Sequence, residues 1–204
     1  MTDSLPMALE PGPCLTDDAD ALLVERFARG ELTAFDHIVR RHRAQVAGLA
    51  HRLLGWPDDV DDVVQEVFLA ALRGLPSFRG HSALATWLTR ITINKCRSHR
   101  RRWLLSPARW LNRGSAGSNG SARAVPQAPP ADRPMLDLER FERVRRAIDR
   151  LPRRYREAVV LRYLEQMSIE AASEALSARP ATVQVWLHRA RRILRDSLAD
   201  LMKE

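Results

Sequence analysis

The side chains best suited to chemistry in this chain fall into two opposed sets. The segment DDVDDVVQEVF, residues 58–68, carries Asp58, Asp59, Asp61, Asp62 and Glu66, with Gln65 among them. Carboxylates this close together can gather a divalent cation or face a basic partner. The spacing is not that of an EF-hand loop and no paired histidine joins them, so a basic partner is the favoured reading. The segment ATWLTRITINKCRSHRRRW, residues 85–103, starts aromatic and ends with Lys95, Arg97, His99, Arg100, Arg101 and Arg102. Arginine suits phosphate because its planar fork donates two hydrogen bonds at once. Cations also stabilise a helix C-terminus, so a structural role for part of the run stays open. Upstream, Thr86, Arg90 and Asn94 recur every four residues and so share a helix face. With Phe78 in the loop LPSFRG, residues 75–80, they offer a stacking surface and hydrogen-bonding groups suited to unpaired bases. Read alone, Phe78 and Trp87 fit a hydrophobic core better than a base platform.

A third set lies near the C-terminus. Ile169, Ala172 and Leu176 bury one short helix, and Val183, Leu187, Ala190 and Leu194 bury a longer one after a tight turn. This is the spacing of a helix-turn-helix, whose second helix enters the major groove. Thr182, Gln184, Val185, Trp186, His188, Arg189 and Arg192 are the positions left facing outward. An ordinary helical hairpin with a solvated charged face has the same pattern.

Composition agrees with a nucleic-acid partner. The 204 residues carry a net charge of +8, from 33 Lys+Arg against 25 Asp+Glu, and the only lysines are Lys95 and Lys203. A GC-rich genome would explain the preference for Arg but not its clustering. Enzyme readings lack support: the six histidines show no metalloprotease spacing, and there is no phosphate-binding glycine loop and no nucleophile elbow. No catalytic residue, metal or cofactor is expected. Cys14 and Cys96 are far apart, which fits a reducing, cytoplasmic compartment. No run approaches the roughly 20 apolar residues of a membrane span.

These groups must be positioned by helices, since no stretch alternates as a strand does. Asp17 and Asp18 are placed to cap a first helix bearing Leu22, Leu23 and Phe27, stopped by Gly30. A second runs from about Thr33 to Leu54. The acidic helix runs from about Pro57 to Arg73, with Val60, Val63, Val64, Val67, Phe68 and Ala71 as its buried stripe. A fourth runs from Ser82 to about Arg102, with Leu84, Trp87, Leu88 and Ile91 inward. Residues 106–134, rich in Gly, Pro and Ser, read as a flexible linker. Further helices are expected over 136–150, 152–164, 168–176 and 180–201. The fold class is all-α: a tail over 1–16, a four-helix domain over 17–104, a linker over 105–134 and a helix-turn-helix domain over 135–204.

The residues resemble a known family. DDVVQEVFLAALRGLPSFRGHSALATWLTRITIN is similar to the first conserved domain of bacterial sigma factors. LPRRYREAVVLRYLEQMSIEAASEAL and TVQVWLHRARRILRDSL are similar to their C-terminal domain. With these two domains alone, the chain resembles the small extracytoplasmic-function group. The resemblance implies a subunit that binds core RNA polymerase and directs promoter-specific initiation. Asp58, Asp61, Asp62, Gln65 and Glu66 would dock on the coiled coil of the largest polymerase subunit. Phe78, Arg79, Ser82, Thr86, Arg90 and Asn94 would take the melted proximal promoter element and a flipped base. Lys95, Arg97, Arg100 and Arg101 would hold its phosphates. The helix-turn-helix would read the distal element as duplex and touch the flap of the second-largest subunit. The group also implies an anti-sigma factor, often membrane-bound, and no small-molecule substrate. A stand-alone helix-turn-helix regulator is the alternative.

Four residues depart from the family pattern. Ser177 stands where the turn usually has Gly, and Ala181 where Gly usually precedes the Thr-Val pair. Gln184 and Trp186 stand where basic or small polar residues are common. Gln can bond an adenine edge bidentately, whereas Trp cannot make an Arg-type guanine contact. An unusual distal element is therefore expected, with Trp186 against the sugar backbone as the other option. Neither Ser nor Ala forbids the helix starts that the motif needs.

Overall fold

The computed structural model describes residues 18–55, 60–105 and 135–199, of which 103, 104 and 135–139 are described by backbone alone. All regular structure among them is helical. The elements are α1 (Asp18–Ala28), α2 (Thr33–Leu54), α3 (Val60–Gly74), a 3-10 turn (Leu75–Ser77), α4 (Leu84–Leu105), α5 (Met135–Asp149), α6 (Arg153–Val159), a π turn (Val160–Leu164), α7 (Ile169–Leu176) and α8 (Pro180–Ser197). Asp17, Asp58 and the expected tail and linker, apart from Leu105, lie outside the described residues.

Helix ends follow local chemistry. Gly55 sits at φ 71°, a left-handed conformation that costs glycine little, and its N–H closes α2 onto the His51 carbonyl at 2.9 Å. Ser168 caps α7 by accepting from the Ala171 N–H at 3.0 Å. Pro180 opens α8, where its missing N–H costs nothing. In α3 the valines have only modest helix propensity, so packing of the stripe holds the helix. All six stripe residues are buried.

Helices α2, α3 and α4 pack on one another and α1 packs on α2. The α1 contact includes a buried polar pair: His42 Nε2 lies 3.0 Å from Asp20 Oδ1, and Arg41 Nε is 3.1 Å from the same oxygen. In the second block α6 packs on α8, and α7 on α8.

Two features differ from the sequence expectation. The helix expected over 152–164 is α6 followed by a π turn, where the Glu165 N–H reaches back five residues to Val160 O at 2.9 Å. The wider turn leaves Val160 and Leu161 fully buried and frees Arg162 to donate to Met167 O at 2.9 Å. In addition, α4 has a second buried face, Thr92, Ile93 and Cys96, beyond the expected Leu84 and Leu88. That face meets α7. One apolar cluster therefore runs from Val46, Leu49 and Leu53 through Ile93 and Cys96 into Leu161, Ala172, Ala175 and Leu176. Among the described residues no helix is long and apolar enough to cross a membrane.

Candidate functional site

The acids of α3 diverge. Asp61, Asp62 and Gln65 are exposed, while Glu66 turns toward α4. There Glu66 Oε1 accepts from Arg102 Nη2 at 2.6 Å, and its other oxygen lies 3.5 Å from Lys95 Nζ. The Arg102 hydrogen bond, with Lys95 adding to it, holds the Glu66 carboxyl below the usual carboxylate range. On the opposite flank, Asp61, Gln65 and Arg43 rim a groove of about 380 Å³ floored by Phe35, Val39 and Phe68. Leu69 and Leu72 continue it and are left exposed. A groove that is apolar below and edged by Gln65 and the Asp61–Arg43 pair suits a helical partner carrying aliphatic and charged side chains. Arg43, 3.4 Å from Asp61, was not foreseen, since it lies one helix away from the acids.

The proximal set divides in two. Arg90 and Asn94 are exposed on α4 and Arg79 is exposed in the loop, with Ser82 half-buried beside it. Thr86, expected on the same face, is 8% exposed. Each four-residue step turns a helix by about 40°. Two steps carry the face from Asn94 round to the buried edge at Thr86. Phe78 is half-buried, its ring 5.2 Å from that of Trp87, so both stack on the core rather than standing free. Trp87 in turn lies over Gly74, where an added Cβ would come within 3.1 Å of the indole.

Lys95 and Arg101 are half-buried and exposed respectively, and Arg100 is half-buried. Arg97 is engaged by the second block. Its Nε and Nη2 donate to the two Glu157 oxygens at 2.9 and 2.8 Å, and its Nη1 lies 3.4 Å from Asn94 Oδ1. Beside it, burial, with the Glu157 charge adding to it, pushes the Cys96 thiol up to about 12.

The distal set lies on α8. Thr182, Gln184, Val185, His188, Arg189 and Arg192 are exposed. Trp186 is half-buried against the main cluster, with the Arg154 guanidinium 5.8 Å above its ring. The turn before α8 has Ser177 at φ 53° and ψ 47°, the left-handed region that favours glycine.

The sequence matches known proteins across both blocks. Residues 38–103 match the model for Sigma-70 region 2, and residues 141–194 the model for Sigma-70, region 4. The RNA polymerase sigma-H factor of Pseudomonas aeruginosa is 34% identical over 93% of this chain and 99% of its own length. The ECF RNA polymerase sigma-E factor of Escherichia coli K12 is 34% identical over 90% of this chain and 96% of its own. The chain belongs to the extracytoplasmic-function sigma factors. The solved structure of CnrH in complex with the cytosolic domain of CnrY superposes with a TM-score of 0.64 at 30% identity, covering 90% of this chain and 99% of that one.

This sigma factor also carries basic residues that the motif reading passed over. Arg153 and Arg154 open α6, and Arg179 precedes α8. Together with Arg97, Thr182 and Trp186 they line a cleft of about 330 Å³ between the two blocks. The signal was present as the dipeptide after Pro152 and as SARP before α8. Their convergence depends on tertiary packing.

Proposed function

We propose that this sigma factor docks on core RNA polymerase through the α2–α3 groove and the exposed Asp61, Asp62 and Gln65. It then presents α4 to melted promoter DNA and α8 to duplex DNA. The observation that carries the reading is the opposition of two faces within one helical body. The exposed Asp61 and Asp62 lie on α3, and the exposed Arg90, Asn94 and Arg101 lie on α4. A protein that only bound DNA would gain nothing from exposed acids and an apolar groove beside its DNA-binding helix, because the acids repel phosphate.

In this reading Arg79, Arg90, Asn94, Lys95, Arg97, Arg100 and Arg101 contact the proximal element. Thr182, Gln184, Val185, His188, Arg189 and Arg192 contact the distal one. The 204-residue chain, tail to helix-turn-helix domain, works as two reading units joined by the linker. It catalyses no reaction itself; bond formation belongs to the polymerase. Its partners place it in the cytoplasm. The similar CnrH was solved in complex with the cytosolic domain of CnrY, and an inhibitory protein partner is proposed here by that likeness.

Run-off transcription on genomic fragments tests this. Specific starts are expected with chain and core enzyme together and with neither alone. Tight sequence-specific duplex binding by the chain alone, unchanged by core enzyme, would instead identify a stand-alone regulator.

A further inference from the structure

Trp186 and three arginines are left without a part in docking or base reading. Trp186 stands on α8 where basic or small polar residues are common in the family. It is half-buried, while its neighbours Gln184 and Val185 are exposed. Its ring and the side chains of Arg153, Arg154 and Arg179 line the cleft of about 330 Å³, and Arg97 brings a fourth guanidinium from α4. Small-ligand sites begin at about 300 Å³.

The cleft is short of negative charge. Glu157 accepts from Arg97 at 2.9 and 2.8 Å and lies 3.8 Å from Arg153. Its side chain is 5% exposed, so it answers that corner from within the fold. Among the described residues no carboxylate pairs with Arg154 or Arg179. Arg154 stands 5.8 Å from the centre of the Trp186 ring, and the Arg179 side chain makes no capping bond at the start of α8. Positive charge gathered in a cleft attracts counter-ions more strongly than the same charge on an open surface. Guanidinium forks bind phosphate oxygens in pairs, and the exposed Ser177 hydroxyl adds a donor to the same cleft.

We propose that this cleft binds a nucleoside polyphosphate, with the phosphates on Arg153, Arg154 and Arg179 and the base on Trp186. The arginines alone would suit any phosphate, a DNA backbone included. The indole decides between them. A duplex keeps its bases stacked inside, so an aromatic face beside its backbone has nothing to stack on. A free nucleotide brings an unpaired base, and stacking on an aromatic ring accepts any base. A terminal polyphosphate also packs several charges into a small volume, whereas each backbone phosphate brings a single one. Arg154 is at the outer limit of cation–π contact with Trp186, so it turns to a phosphate at little loss and bares the ring. Neither polymerase docking nor base reading by α8 enters into this site.

Calorimetric titration of the full chain, without polymerase, tests this with three probes: ATP, inorganic triphosphate and a duplex lacking any promoter element. Saturable binding is expected with ATP and weaker binding with triphosphate. Arg154→Gln and Arg179→Gln should each weaken both by roughly tenfold, through the loss of charge-assisted hydrogen bonds. Trp186→Leu should weaken ATP by roughly tenfold and leave triphosphate unchanged. A tryptophan that only supports the fold would move both ligands together or neither. Both arginines are exposed, so their variants keep the fold and carry the test even where Trp186→Leu unfolds. Duplex at equal phosphate concentration should not displace ATP. No binding of ATP, or binding that both arginine substitutions leave intact, would overturn the site. Displacement of ATP by duplex would assign the cleft to the DNA backbone instead. Equal affinity for ATP and triphosphate, unmoved by Trp186→Leu in a folded chain, would reduce it to a bare polyanion site and remove the nucleoside.

Discussion

Glu66 of α3 accepts a hydrogen bond from Arg102 of α4 at 2.6 Å, so the acidic and basic halves of the first block are tied to each other directly. The tie divides the acids into two groups. Glu66 serves the joint between α3 and α4, and Asp61 and Asp62 are left for an outside partner. It also holds Arg102 over α3, away from the free end of the basic run.

Glu66 should reveal itself through pH. Its carboxyl is held low in the folded chain by Arg102, so the stabilisation is fully present above the unfolded value of about 4.3. It is lost as pH falls through the lower folded value. Glu66→Gln should melt slightly below wild type near pH 7, by well under about 1 kcal/mol, since the pair is partly exposed. The difference should close as pH falls below about 4. Paired thermal melts across pH check this; a gap that widens in acid would reverse the sign and refute it.

Asp61 and Asp62 are the sharper probe of docking. Asp61 is highly exposed and lies 3.4 Å from the likewise exposed Arg43, so reversing its charge should cost little stability. Asp61→Arg with Asp62→Arg should weaken core-polymerase binding by about 10²-fold, because like charges facing one another at an interface cost several kcal/mol. The far-ultraviolet circular dichroism should stay unchanged. Fluorescence-detected binding to core enzyme measures the effect, and unaltered affinity would remove these acids from the interface.

Much of this was legible in the sequence because it depends on one element at a time. The Val60, Val63, Val64 and Val67 stripe shows at helical period, and α2 ends where Gly55 stands. What was not legible depends on a distant partner. Thr92, Ile93 and Cys96 mix polar and apolar types, so no stripe marks them. They are buried because α7 covers them. Arg97 reads as one more member of a basic run, and its Glu157 partner lies 60 residues away across a linker. The π turn hides for another reason: VLRYL carries ordinary helix formers, and its register is set by packing. Periodicity reports which side of an element is apolar, not which element will cover it.

Ser177 offers a stability test of the turn. Its φ of 53° and ψ of 47° are unfavourable for any side chain but let its N–H reach Glu174 O at 3.0 Å and that of Ala178 reach Ser173 O at 2.9 Å. Ser177→Gly should relieve this conformation at the expense of greater freedom in the unfolded chain. The net gain should be about 0.5–1 kcal/mol. For a chain of this size the melting temperature should rise by about 1–4 °C. No change, or a fall, would mean that the Ser177 side chain itself supports the turn.

Gln184 and Trp186 stand two residues apart on α8 yet should fail in different ways. Gln184 is exposed and carries an amide that can bond both edge groups of an adenine. Gln184→Ala in the holoenzyme should cost about 1–3 kcal/mol on the preferred distal element and relax the choice at one base pair only. Trp186 is drawn inward, its ring under Arg154 and against the main cluster, so it supports the helix from behind the reading face. Trp186→Ala should lower the melting temperature and weaken binding to all distal sequences alike, without altering base preference. Selection from a randomised promoter library separates the two. A change of preferred base in Trp186→Ala would place the indole in the groove after all, and uniform weakening in Gln184→Ala would leave the amide on the backbone.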